Sequence, residues 1–251
     1  MRTKSRRAAF TLIEISVVVV LGLIFTTLLA QAGWKVYESS SLAVSANNLR
    51  QLGAGASQYL TENNYRYWKF RQDTKAGTTF WFGYETAESV YSTPEGKRKF
   101  DSEGGPLAGY VPSMLRPDPS FGLHGGAFKP KYASGYLAIG YNGVLGSGFG
   151  KTPPKTYWEL SKPSRVVVFA TSAQVNTFQK PASASNPMIE EFYLIDEREK
   201  TIHFRHGGQA MVAFADGSCG FLPMDPTTRD TRFKKGLIGR FAPVNNKKYL
   251  E

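Results

Sequence analysis

Cysteine is nearly missing from this chain: among 251 residues there is one, Cys219. No disulfide can form within the chain, so stability must come from packing, from an ion or from assembly. Histidine is almost as scarce, with only His124, His203 and His206. No HExxH, CxxC, phosphate-loop or serine-elbow pattern occurs, which removes the common zinc, redox, nucleotide-hydrolysing and α/β-hydrolase chemistries from what the sequence supports. There is no internal repeat, so a solenoid is excluded. Acidic residues are outnumbered, 20 against 31 basic, leaving a net charge of +11.

The strongest positive signal lies at the start. Arg2, Lys4, Arg6 and Arg7 make a basic leader, followed by Ala8-Ala9 and then Phe10-Thr11-Leu12-Ile13-Glu14-Ile15-Ser16 and an apolar run to Ala32. From 10 to 32 the sole charge is Glu14. At about 1.5 Å per residue this stretch covers a hydrocarbon core of roughly 30 Å. The flanking positive charges orient such a span with its N terminus cytoplasmic and everything after Ala32 outside, as a single-pass inner-membrane protein with a periplasmic or extracellular domain. A carboxylate within a span is expensive unless paired or protonated, so Glu14 marks function by default.

The order of the segment separates it from a secretory signal, whose small-residue cleavage site follows the apolar region. Here Ala8 and Ala9 precede it. The arrangement resembles the N-terminal signal of type IV pilins and type II secretion pseudopilins: a basic leader, a small residue, then Phe-Thr-Leu-Ile-Glu, which residues 10–14 match letter for letter. The resemblance implies that a prepilin peptidase cuts between Ala9 and Phe10 and methylates Phe10, leaving Glu14 as the fifth mature residue. Where that family usually has Gly before the cut this chain has Ala9. Loss of the four leader charges would leave about +7 of the +11. The plainer alternative is a signal anchor that contains a Glu.

Helical periodicity continues past the span. Leu42, Ala46, Leu49, Leu52, Ala56 and Leu60 recur at steps of three and four, which predicts an amphipathic continuation over 33–63 and one helix from Phe10 to about Thr61. Gly53 and Gly55 each cost about 1 kcal/mol relative to Ala inside a helix and so mark a bend or a close approach. Asn63-Asn64 supplies the stop. The parts are thus a leader 1–9, a transmembrane helix 10–32, its amphipathic continuation 33–63, and a β-rich domain 64–251.

Beyond the helix, short apolar and aromatic runs alternate with Gly, Pro, Asn and Ser. Strands are predicted at 79–84, 88–92, 136–141, 165–170, 191–195, 201–205, 209–215 and 218–222. Asp216-Gly217 reads as the two-residue turn of a hairpin between the last two. The expected fold is α+β: a long N-terminal helix packed on an antiparallel sheet, pilin-like by the resemblance.

A second resemblance lies near the C terminus. His206, nine residues, then Asp216-Gly217 is similar to the H-x9-D-G signature of pilin-like proteins abundant in planctomycetes and their relatives. Tyr141-Asn142 and Pro163-Ser164 with the valines after it are similar to further segments of that group. Thr171 stands where Asp is usual, and Ser218 where His often follows Asp-Gly. The residues by themselves give Asp216 as a turn former and His206 as a cap at the hairpin's entry. A catalytic pair would need a nucleophile or metal beside it. His203 and His206 lie an odd number apart and so face opposite sides of a regular strand. His124 is unplaced.

Two binding candidates remain. Asp101-Ser102-Glu103-Gly104-Gly105 offers hard oxygen ligands for calcium, although two carboxylates make a sparse set and an acidic solvated turn is the simpler reading. Tyr65-Arg66-Tyr67-Trp68-Lys69-Phe70-Arg71 interleaves rings with cations, as single-strand nucleic-acid binders do, but alternate rings packing on the sheet with the charges turned to water is the simpler reading, so nucleic acid is not an expected partner. The expectation is therefore a structural subunit of a type IV pilus or type II secretion-like pseudopilus, not an enzyme and without a required cofactor. Its partners would be the prepilin peptidase, other pilin subunits and the inner membrane. The alternatives are a membrane-anchored module binding nucleic acid or glycan and, less readily, an envelope hydrolase.

Overall fold

The computed structural model describes residues 11–112, 115, 117–121, 127–133, 137–147, 150, 152–196, 198–242 and 249–250. The leader, Ala9, Phe10 and His124 lie outside the described residues. The chain divides after Ser40 into two compact units.

Leu12–Glu62 forms one unbroken α-helix, α1. Its start is set by Thr11, and no proline interrupts it. The valines at 17–20 are indifferent helix formers in water. In hydrocarbon, though, a helix is the structure that satisfies every backbone group within the segment. In the first unit the apolar side chains are bare: Leu12 is 86% exposed, and Val18, Leu23, Phe25, Leu28 and Trp34 are exposed too. Among the described residues, α1 is the one helix long and apolar enough to cross a membrane. It ends where Asn64 turns left-handed (φ 53°) and Tyr65 N donates back to Leu60 O at 2.8 Å, the Asn-terminated stop the sequence predicts.

In the second unit the helix buries a stripe made of Ser41, Ser45, Asn48, Leu49, Leu52, Ala56 and Leu60. The strands, in chain order, are β1 Arg71–Asp73, β2 Gly77–Phe80, β3 Gly83–Thr86, β4 Phe128–Lys129, β5 Ile139–Asn142, β6 Val167–Thr171, β7 Gln174–Asn176, β8 Met188–Glu190, β9 Leu194–Ile195, β10 Ile202–His203, β11 Gln209–Phe214, β12 Cys219–Pro223 and β13 Ile238–Gly239. The main sheet runs β12-β11-β6-β5-β9, and smaller sheets run β1-β2-β3, β4-β8-β7 and β10-β13.

The main sheet is covered on both faces. Phe169, Met211 and Ala213 join Leu49, Leu52 and Ala56 of α1 in one core, while Ala170, Ala210 and Val212 pack with Ile202, Phe204 and Leu250 in another. Two-sided burial explains why β6 reads as an unbroken apolar run instead of an alternating one. Trp81, Tyr141 and Phe169 lie at the centre of the first core, with Tyr141 Oη donating to Trp68 O at 3.0 Å.

Two predicted strands and the all-antiparallel pairing need correction. The run 79–84 is a hairpin, β2 and β3, because Trp81 buries its ring and donates Nε1 to Tyr193 O at 2.8 Å, turning the chain inward. Residues 88–92 belong to a short helix, α2 (Ala87–Ser92), which Thr86 caps by accepting Ser89 N at 3.2 Å. The sheet is antiparallel-rich but mixed: β5 pairs parallel with β9, and β4 with β8. Gly53 and Gly55 do not break the helix. A Cβ on Gly55 would stand 2.5 Å from Val111 Cγ2 and 2.8 Å from Tyr110 O, so this glycine permits close packing.

Candidate functional site

The start of α1 is built from Thr11 and Glu14. Thr11 N donates to Glu14 Oε2 at 2.7 Å, Thr11 Oγ1 donates to the same oxygen at 2.9 Å, and Glu14 N donates to Thr11 Oγ1 at 3.2 Å. This is a reciprocal capping box, in which an N-cap Thr and the Glu three residues on satisfy amides that a helix end leaves open. One carboxylate therefore closes the first turn of an otherwise apolar segment. The T-x-x-E spacing carries that role openly in the sequence, though it is easily overlooked beside the cost of a charge in a span.

His206 and Asp216 occupy turns at opposite ends of β11. His206 and Gln209 exchange backbone bonds at 3.1 and 3.0 Å across Gly207 and Gly208, whose φ values of 59° and 80° suit glycine. Asp216 Oδ1 accepts Ser218 N at 3.0 Å and Ser218 Oγ at 2.6 Å, and Gly217 takes φ 86°. The six-residue strand between them holds the two side chains about 20 Å apart, so they cannot act as a pair. Burial, with the nearby charge of Arg205, pushes the His206 imidazole down to about 4, so the ring is neutral at neutral pH. His203 lies on β10, with Nδ1 3.3 Å from Arg205 Nη1.

A buried ion pair that sequence reading missed ties α1 to the rest of this unit. Asp118 Oδ2 accepts Arg205 Nε at 3.0 Å and Nη2 at 2.7 Å, and also bonds to Ser45 Oγ of α1. Its Oδ1 accepts Ser120 N and Oγ, and Ser41 Oγ of α1 at 3.4 Å. Burial alone would raise this carboxyl's pKa, but Arg205 and the serine bonds hold it well below the usual range. The available signal was Ser41 and Ser45, polar and four apart on the buried stripe. A second buried network joins Arg98 to Glu85 in a two-pronged pair at 2.6 Å, and Lys129 to Glu190 at 2.9 Å.

The two remaining sequence candidates take these positions. Asp101 caps a short turn by accepting Glu103 N at 3.0 Å. Among the described residues no three acidic, His or Cys side chains cluster as metal ligands. In the 65–71 segment Tyr67, Trp68 and Phe70 are buried, whereas Tyr65 is exposed. Comparison with known proteins yields no match: no family model, no curated protein and no solved structure matches the chain.

Proposed function

We propose that this protein is a structural subunit of a type IV pilus or type II secretion-like pseudopilus, processed before Phe10 and assembled through α1. The observation that carries this reading is Phe10-Thr11-Leu12-Ile13-Glu14 at the head of an unbroken helix whose apolar side chains are exposed from Leu12 to Val36. Exposed apolar surface of that extent requires lipid or other helices to cover it. A bundle of identical helices supplies that cover, and a membrane stores the subunit beforehand. In this reading the leader stays cytoplasmic and the unit after Ser40 lies outside.

Glu14 then has two tasks. Its bonds to Thr11 fix the helix start, and its charge meets the positive N terminus of a neighbouring Phe10, a pairing that sets register in a medium where an unpaired charge is costly. The test is filament assembly by a chain carrying Glu14→Val. Membrane insertion should persist while filaments fail to form, and normal filaments from this variant would refute the pairing.

A further inference from the structure

Three aromatic rings gather at one surface of the second unit, and the filament reading makes no use of them. Trp158 is 70% exposed, with its ring centroid 4.7 Å from that of Tyr65 and 5.5 Å from that of Tyr157. Two segments distant in sequence are stitched together to build this group: Tyr67 N donates to Lys155 O at 3.0 Å, and Tyr157 N to Tyr65 O at 2.7 Å. Tyr65 is held at φ 55°, beside Asn64 at 53°, a backbone region that bulky residues avoid and that concentrates where function holds it in place. While Tyr67, Trp68 and Phe70 turn into the core, Tyr65 is left outside against Trp158.

Cations flank the rings. Arg66 follows Tyr65 and is anchored by Nη1 donating to Pro154 O at 2.9 Å, and Lys155, whose carbonyl accepts Tyr67 N, precedes Thr156 and Tyr157 on the second segment. The Thr156 bonds and, beside them, the charges of Lys155 and Arg66 hold the Glu159 carboxyl below its ordinary range. We propose that this platform binds single-stranded nucleic acid, a base stacking on Trp158 while Arg66 and Lys155 neutralise adjacent phosphates. A neutral glycan also stacks on exposed indole, but it gains nothing from flanking cations, and several acceptors here are already engaged. Around these rings Glu159 Oε1 already takes Thr156 N and Oγ1, Pro154 O takes Arg66, and Tyr65 O takes Tyr157 N. Two cations, Arg66 and Lys155, stand against the one carboxylate of Glu159, a positive excess that suits phosphate.

The experiment is fluorescence anisotropy of a labelled oligothymidylate of about twenty nucleotides with the full chain in detergent micelles, over a range of salt concentrations. Binding should weaken steeply with salt. Trp158→Ala should weaken it about tenfold or more, Trp158→Phe should retain most of it, and Arg66→Gln should flatten the log–log salt slope by roughly 0.7. Because Trp158 is exposed, these variants should keep the wild-type circular dichroism. Quenching of the tryptophan fluorescence by the oligonucleotide, present in the unmodified chain and lost in Trp158→Ala, gives a second readout. No binding at low salt overturns the proposal. So does a Trp158→Ala chain that binds like wild type, or a neutral oligosaccharide that binds at Trp158 and is not displaced by the oligonucleotide. The proposal stands apart from the filament reading, which fails on the mature N terminus and not on this assay.

Discussion

Thr11 and Glu14 close the first turn of α1 on each other: Glu14 Oε2 accepts both the amide and the hydroxyl of Thr11, and Thr11 Oγ1 accepts the amide of Glu14. The carboxylate is thus partly satisfied within its own chain before any neighbour arrives. The structure shows the local cap; the intersubunit pairing proposed above would be a second function of the same side chain, and substitutions can separate the two.

Glu14→Gln keeps an acceptor for Thr11 but removes the charge, whereas Glu14→Val removes both. If charge pairing sets the register, both variants should insert in the membrane and both should fail to assemble, as read by recovery of sheared filaments. Normal assembly by Glu14→Gln alone would show that the cap suffices.

Replacing Asp118 by Asn should destabilise the second unit by about 3–5 kcal/mol, because Arg205 is left charged and buried without its partner. The wild-type pair should also confer acid sensitivity. The folded pKa of Asp118 is depressed, so its contribution is present above the ordinary carboxylate pKa near 4 and fades as the pH drops below it. Urea unfolding of the detergent-solubilised chain between pH 2 and 7 measures both effects.

Glu191 should produce the opposite trend. Its carboxyl is buried, and burial pushes it up to about 7 against the backbone amides of Lys131 and Tyr132, which donate to Oε1 at 3.0 and 3.3 Å, and against the Lys131 charge. A carboxyl raised in the fold holds its proton longer there than in the unfolded chain. Its contribution to stability is therefore intact below about 4.5 and declines up to about 7, by on the order of 3 kcal/mol. Glu191→Gln should remove that decline, visible as a smaller difference between unfolding midpoints at pH 5 and pH 8.

Two neighbouring glycines should respond in opposite directions. Gly55→Ala places a methyl against Val111 and Tyr110 O and should cost about 1–3 kcal/mol. A Cβ on Gly53 meets Ala213 Cβ and Gly217 O at 3.8 Å, an ordinary contact, so Gly53→Ala should be neutral or stabilise by up to about 1 kcal/mol. Thermal melts of the two variants side by side decide this.

What could be read in advance follows the range of the interactions involved. The helix from 12 to 62, its stop at Asn64 and the presence of a hairpin around Asp216-Gly217 are written in local signals: periodicity, an Asn suited to the left-handed cap, and a glycine at φ 86°. The turn itself is longer than the two residues expected, since Ala213 pairs with Cys219 and Phe214 N donates to Ser218 O. The pairs that tie distant segments were not legible. Asp118 meets Arg205 across 87 residues, and Lys129 meets Glu190 across 61. The hairpin at 77–86 was misread because its turn holds Trp81 and Phe82 instead of Gly, Asn or Asp. Trp81 is buried, and Gly83 after it has no room for a side chain beside Asp101 O, so tertiary packing sets the reversal. The aromatic platform was half legible: Tyr65 lay in the noticed stretch, but its partners Tyr157 and Trp158 join it only through the fold.

The central claim is that the chain is cut before Phe10 and enters a filament through α1. Mass spectrometry of the N-terminal peptide of the protein recovered from its native membrane tests this most directly. The account predicts a mature chain beginning with N-methylated Phe10, and a chain still beginning at Met1 would contradict it.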